Sequence, residues 1–210
     1  MKWSGRLRLD RRGFLRGTIA FAAAGVAAPS LAHAAQKDHP KLLAIARAML
    51  ERHARQVKKS DIVGLADFSA PSWLPRFHLV DPAAGTVASH LTAHGRGSDP
   101  AHTGWLKSFS NEFGSNATSE GAYLVGGQYD GKYGRAIRLA GLDPHNANAE
   151  ARAIVIHQAW YESAGMIEKY GKLGRSEGCF ALSETGIQAA LTALGPGRLL
   201  YAGKFDEFGS

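Results

Sequence analysis

Cys179 is the only cysteine among the 210 residues, and it closes the stretch Gly174-Arg175-Ser176-Glu177-Gly178-Cys179. A free thiol has a pKa of about 8.5, so it needs a base beside it to attack as a thiolate near neutral pH. A candidate base lies upstream, where the apolar run Ala153-Ile154-Val155-Ile156 ends in His157. One cysteine with a histidine elsewhere in the chain is the sequence form of a Cys–His nucleophilic pair. In that chemistry His157 takes the thiol proton and Cys179 attacks a carbonyl. The backbone N–H groups of Gly178 and Cys179 are the candidate oxyanion donors, and Gly178 has no side chain to obstruct such close approach. The competing reading makes Cys179 a small buried hydrophobe and His157 a core histidine; the rest of the chain favours chemistry.

The elements that must carry this pair read as β-rich behind a short helical lead. From Pro40 to Val57 the apolar residues Leu42, Leu43, Ala46, Met49, Leu50, Ala54 and Val57 share one helical face. Pro40 suits a first helical position, with Asp38 or His39 as the cap. Short extended stretches follow at Asp61–Phe68, Arg76–Val80, Thr86–Ala93, Gly121–Gly127, Arg135–Leu139 and Ala153–His157, separated by Gly, Pro, Asp and Asn clusters. A second helix is expected over Ser183–Leu194, capped by Ser183 and stopped by Gly195-Pro196, and a last strand over Arg198–Gly203. The Ser98–Tyr123 region lacks periodicity but holds Trp105, Phe109 and Phe113, as an ordered loop near a site would.

The N-terminus has the form of an export signal. Lys2, Arg6 and Arg8 precede Asp10-Arg11-Arg12-Gly13-Phe14-Leu15-Arg16, an apolar stretch runs from Thr18 to Ala28, and Ala32-His33-Ala34 supplies a small-x-small cleavage site. The arginine pair resembles the twin-arginine signal, with Asp10 where Ser or Thr is usual. Gly25 and Pro29 break an apolar segment too short to remain as an anchor after cleavage, and no cysteine lies there to be lipidated. The expected organisation is therefore a signal over 1–34, a helical segment over 35–59 and one catalytic domain over 60–210, in the periplasm or cell envelope.

Export changes how the charge is read. Residues 1–34 carry six Lys/Arg and one Asp, so their removal takes the formal charge from +7 to about +2. No basic stripe interleaved with aromatics remains to suggest nucleic acid. An exported chain with one cysteine forms no internal disulfide, so the thiol has no structural bridge to explain it. His90, His94, His102 and His145 raise the question of zinc. His90 and His94 fall in a run of strand character, where side chains four apart lie too far apart for one ion. No metal or other cofactor is expected; no dinucleotide fingerprint, haem motif or iron–sulfur cysteine set is present.

Three motifs in order carry a family resemblance: Thr118-Ser119-Glu120-Gly121-Ala122-Tyr123, Ile156-His157-Gln158, and Arg175-Ser176-Glu177-Gly178-Cys179. Together they resemble the L,D-transpeptidase (YkuD-like) catalytic domain of bacterial cell-wall enzymes, whose signature is Thr-Pro-x-Gly-x-Phe/Tyr, Ile-His-Gly and Ser-His-Gly-Cys. Here 18 residues separate His157 from Ser176. The run from His94 to Ser98 and Gly-Arg-Ser-x-Gly-Cys are similar to a divergent branch, and the likeness covers about residues 60–203. It implies a β-rich α+β fold, a mixed-strand sandwich or barrel with a short N-terminal helix and a helix after the nucleophile. It also implies attack on the L,D amide of a peptidoglycan stem peptide, loss of D-Ala and a Cys179 thioester. A neighbouring stem amine would resolve that thioester to a cross-link; water would leave a trimmed peptide, as in a carboxypeptidase or other wall hydrolase. A non-catalytic peptidoglycan-binding module is the remaining alternative. Arg175, Ser176, Gln158 and Tyr123 are the candidate substrate-binding residues. Two departures stand out: Glu177 replaces the usual His, and Gln158 replaces Gly. An inward Glu177 would raise the thiol pKa, whereas the Gln158 change is harmless if only its backbone carbonyl orients His157.

Overall fold

Alternation along the strands decides what covers the sheet. Val63 and Leu65 point to one face and Ala66 to the other; Leu200 and Ala202 likewise oppose Leu199. Both faces of these strands are apolar, so both must be covered. A computed structural model describes residues 36, 37 and 39–207; the signal-type segment 1–34 lies outside them. The elements are β1 (Gln36–Lys37), α1 (Pro40–Arg52), β2 (Val63–Asp67), β3 (Phe77–Asp81), β4 (Thr86–His90), β5 (Gly121–Gly131), β6 (Gly134–Gly141), β7 (Val155–Gln158), α2 (Ala164–Tyr170), β8 (Phe180–Leu182), α3 (Glu184–Ala193) and β9 (Leu199–Gly203).

The strands form one mixed nine-stranded sheet in the order β1-β4-β3-β2-β9-β5-β6-β7-β8, parallel only at β2/β9 and β7/β8. Thr92, just past β4, pairs with Leu182 of β8, and the Ala93 N–H donates to the Ala181 carbonyl at 3.0 Å. The sheet thereby curls back on itself, and the β-rich α+β architecture expected from the sequence is present. On one face α1 buries Leu42, Ile45, Ala46 and Met49 against Val63, Leu65, Val80 and Leu199. On the other, α3 buries Ile187 and Ala190, with Leu194 just past its end, against Phe180, Leu200 and Ile156. Each large apolar side chain removed from water contributes about 1.5–3 kcal/mol. Ser183 caps α3 by accepting from the Gly186 N–H at 3.2 Å.

Three differences from the expected elements have physical causes. The lead helix ends at Arg52 rather than Val57, because the N–H groups of Lys58 and Lys59 both donate to the Gly197 carbonyl and draw the chain off the helix axis. The helix α2 carries no apolar stripe, for none of its residues is buried, and it stops at Gly171 with φ 71°. The strand β8 has only three residues, all buried, so it shows no alternation.

Candidate active site

The parallel pairing of β7 with β8 brings the proposed pair together. Ile156 pairs with Phe180 and His157 with Ala181. Cys179 immediately precedes β8, so in register it falls two positions before His157, on the same face of the pleat. Both side chains line one cleft of about 190 Å³ together with Tyr129, Lys132, Tyr133 and Ala153. The buried Ile154 and Ile156 anchor the strand that holds the histidine.

His157 is oriented by its own chain. Its Nδ1 lies 2.8 Å from the Gln158 carbonyl oxygen. A carbonyl only accepts, so Nδ1 carries the hydrogen and, in the neutral ring, Nε2 carries the lone pair. The replacement of Gly by Gln158 leaves this backbone acceptor in place. Burial holds the imidazole pKa below its ordinary value, with the Gln158 carbonyl pulling the other way. Tyr133, at the tip of the β5–β6 hairpin, stacks on the ring with centroids 5.5 Å apart.

The Cys179 thiol donates to the Ala153 carbonyl, with Sγ and O 3.5 Å apart. Burial pushes its pKa up; the Val155 backbone N–H pulls it down, Glu177 pushes it up and Arg152 pulls it down, in that order of size. Imidazole and thiol thus rest neutral near pH 7. Ala153 has φ 54°, a left-handed conformation that is costly for a residue with a Cβ and sits beside the nucleophile. Glu177 points outward: its side chain is 73% exposed and pairs with Arg96 at 3.1 Å.

Two glycines let three backbones stack around the nucleophile. Gly178 has φ 118°, and a Cβ there would sit 2.8 Å from the Ala117 carbonyl oxygen. Gly95, in the run from His94 to Ser98, faces Gly178 so closely that a Cβ would reach the Gly178 Cα at 2.8 Å and also strike the Asn116 carbonyl. Behind this run the fully buried Arg76 donates through Nε to the Thr92 carbonyl at 2.9 Å, and its Nη2 lies 2.8 Å from His94 Nδ1. Asp99 takes the N–H groups of Thr103 and Gly104, each at 2.8 Å. His94 is therefore part of a buried polar brace, and His102 is tied to the Leu173 carbonyl at 2.9 Å.

The expected substrate-binding residues are placed differently from one another. Gln158 lines a cleft beside His157. Tyr123 has no exposed surface: its hydroxyl donates to the Ser119 carbonyl at 2.6 Å and its ring packs edge-on against Phe180, so it backs the site rather than lining it. Ser176 is buried and staples the turn, donating to the Cys179 carbonyl at 2.7 Å and accepting from the Gly178 N–H at 3.2 Å. That last bond occupies one of the two expected oxyanion donors. Arg175 spends its guanidinium on the carbonyls of Asp99 and Pro100.

Arg152 escaped the sequence reading. Its Nη1 donates to the Ser110 carbonyl (2.8 Å) and Ser119 Oγ (2.7 Å), and its Nη2 to Ser115 Oγ (3.1 Å) and the Ala117 carbonyl (2.6 Å). One guanidinium thus folds the aperiodic Ser98–Tyr123 loop against the nucleophile, and it lines a cleft of about 250 Å³ with Cys179, Glu177, Asn116 and Phe113. The only sequence signal was a cation one residue ahead of the apolar run ending in His157.

A family model described as "L,D-transpeptidase catalytic domain" matches residues 34–202. The chain belongs to this family, whose enzymes act on peptidoglycan. A search of curated proteins found no match. Among solved structures the chain is similar to an L,D-transpeptidase from Mycobacterium smegmatis, with 12% identity, TM-score 0.42, and 68% of this chain and 58% of that chain covered. It is also similar to L,D-transpeptidase 3 from Mycobacterium tuberculosis in complex with a faropenem-derived adduct, at 14% identity and TM-score 0.45, covering 69% and 60%. A third is the helical cell shape determining protein Pgp2 from Campylobacter jejuni, at 14% identity and TM-score 0.42, covering 68% and 47%. The chain spans less than two thirds of the length of each of these three. Among the described residues no helix is long and apolar enough to cross a membrane.

Proposed function

We propose that the protein is a cysteine-dependent L,D-transpeptidase of peptidoglycan stem peptides, with Cys179 as nucleophile and His157 as base. The observation that supports this most is the shared cleft of His157 and Cys179 at the β7/β8 edge, with Nδ1 of His157 committed to the Gln158 carbonyl. Nε2 of His157 takes the Sγ proton as Cys179 attacks the carbonyl of the L,D amide. The tetrahedral oxyanion is received by the Gly178 and Cys179 N–H groups, with the long Ser176–Gly178 hydrogen bond yielding. Collapse breaks the C–N bond, the imidazolium protonates the departing D-Ala amine, and a thioester remains. The amine of a second stem then attacks the thioester, gives its proton to His157 and forms a 3-3 cross-link, regenerating the thiol. Residues 1–34 act as a twin-arginine-type signal, and the processed protein works in the periplasm or cell envelope.

The test is incubation of the protein with disaccharide-tetrapeptide, read by mass spectrometry. Loss of D-Ala together with dimers supports transpeptidation. Tripeptide without dimers means that water resolves the thioester and the protein is a carboxypeptidase. Cys179→Ala abolishes either product; activity surviving in that variant overturns the nucleophile assignment. Wild-type binding to peptidoglycan without turnover, matched by Cys179→Ala, establishes the binding-module reading instead. N-terminal sequencing of envelope material finds a start at or near Ala35, and a full-length chain confined to the cytoplasm contradicts export.

A further inference from the structure

Among the described residues the three most exposed large apolar side chains are Trp160 (79%), Phe113 (64%) and Tyr133 (59%). All three border clefts that meet at the Cys–His pair: Phe113 with Cys179, Tyr133 with both, Trp160 with His157. Exposed aromatics gathered at one place mark a binding surface rather than scattered surface composition.

We propose that the cleft bounded by Tyr133, Trp160 and Tyr161 beside His157 is a sugar subsite, seating a pyranose ring of the glycan strand while the stem peptide reaches Cys179. This rests on the proposed action on peptidoglycan. The cleft holds about 320 Å³, the scale of a small ligand, and is lined by Tyr133, His157, Gln158, Ala159, Trp160 and Tyr161. None of these lining residues is a carboxylate, ammonium or guanidinium; the Lys132 ammonium lies 5.3 Å from the Tyr133 ring centroid and lines the adjoining cleft at Cys179. The cleft on the other side of Cys179 differs, being lined by Arg152 and Glu177. A pyranose fits the neutral cleft: its C–H face lies against an aromatic ring, and its hydroxyl and amide rim meets the Gln158 amide and Tyr161 hydroxyl.

The platform is already built. Trp160 and Tyr161 pack edge to face with centroids 5.7 Å apart. The Gly174 N–H donates to the Tyr161 carbonyl at 3.1 Å, and a Cβ at Gly174 would lie 2.6 Å from the Tyr161 ring. Gly174 opens the stretch that ends in Cys179, so the same short segment of chain supports the aromatic wall and carries the nucleophile.

The test uses full-length Cys179→Ala, which binds without turnover, titrated calorimetrically with disaccharide-tetrapeptide, with sugar-free tetrapeptide and with an N-acetylglucosamine trimer. The disaccharide ligand is expected to bind on the order of tenfold more tightly than the bare peptide. Adding Trp160→Ala erases that advantage and the trimer binding, whereas Trp105→Ala, at a residue that lines none of the three clefts at the Cys–His pair, keeps both. Equal affinity for the two peptide ligands, or an advantage that survives Trp160→Ala, overturns the sugar subsite. A loss of bare-peptide affinity equal to the loss for the disaccharide ligand assigns the cleft to the peptide instead. The two readings separate cleanly. Trimer binding that depends on Trp160 in a protein that never turns over a muropeptide keeps the subsite and removes the transpeptidase. Turnover with Trp160-independent sugar binding does the reverse.

Discussion

The Nδ1–H of His157 points at the carbonyl oxygen of Gln158 at 2.8 Å, so Nε2 is the only ring nitrogen free to take a proton. Burial holds the imidazole below its ordinary pKa of about 6.5. A base with a lowered pKa stays neutral to a lower pH, so kcat/KM is expected to fall on the acid side with a midpoint below 6.5. His157→Ala lowers kcat by about 10²–10⁴ and removes that acid limb. Steady-state rates between pH 4 and 9 check both, and an acid midpoint at or above about 6.5 contradicts the buried base.

Arg152 makes four hydrogen bonds to the loop over the nucleophile and lowers the Cys179 pKa. Arg152→Ala leaves the Ala117 carbonyl short of a donor, at a cost of about 1–3 kcal/mol, whereas the Ser110 carbonyl keeps the Ser119 hydroxyl at 2.9 Å. The thiol pKa rises as well. Arg152→Lys keeps the charge but not the planar fork, so it restores the thiol pKa more fully than the melting temperature. Iodoacetamide alkylation against pH, alongside thermal melting, separates the two effects. Equal recovery of both by lysine refutes the distinction.

Gly178→Ala places a Cβ 2.8 Å from the Ala117 carbonyl oxygen at φ 118°. The strain costs about 1–3 kcal/mol, and relief requires the turn before Cys179 to move. Activity is expected to fall far more than stability does. A variant that melts several degrees lower yet turns over at the wild-type rate shows that the turn geometry is not needed.

Glu162 is fully buried, and neither carboxylate oxygen has a hydrogen-bond partner among the described residues. Burial holds its pKa well above the ordinary 4.5, against the pull of Arg76. The folded protein therefore keeps a proton that the unfolded chain releases near pH 4.5, and stability falls as pH rises from there toward the folded value. Glu162→Gln cannot ionise, so its melting temperature gains on wild type as pH increases from 4.5 to 8. A difference between the two proteins that does not change with pH rules out an ionisable buried carboxyl.

Residue type alone marked Cys179 and His157, because few side chains act as nucleophile or base and this chain has one thiol. Spacing marked α1 and α3, whose buried faces repeat at helical period, and the Gly, Pro, Asp and Asn clusters between short extended runs marked β2 through β6. What the sequence left undecided depended on contacts between distant segments. The acceptors of Arg152 lie between 33 and 42 residues earlier in the chain, so locally it reads as any surface arginine. Ser176 looked free for substrate until the turn of Gly178 claimed its hydroxyl, and Tyr123 until Phe180 covered its ring. The direction of Glu177 was settled by Arg96, which the chain delivers only because Gly95 can lie against Gly178. Reactivity is a property of a side chain and is written in its identity. Burial and pairing belong to two backbones meeting, and only the folded sheet brings those together.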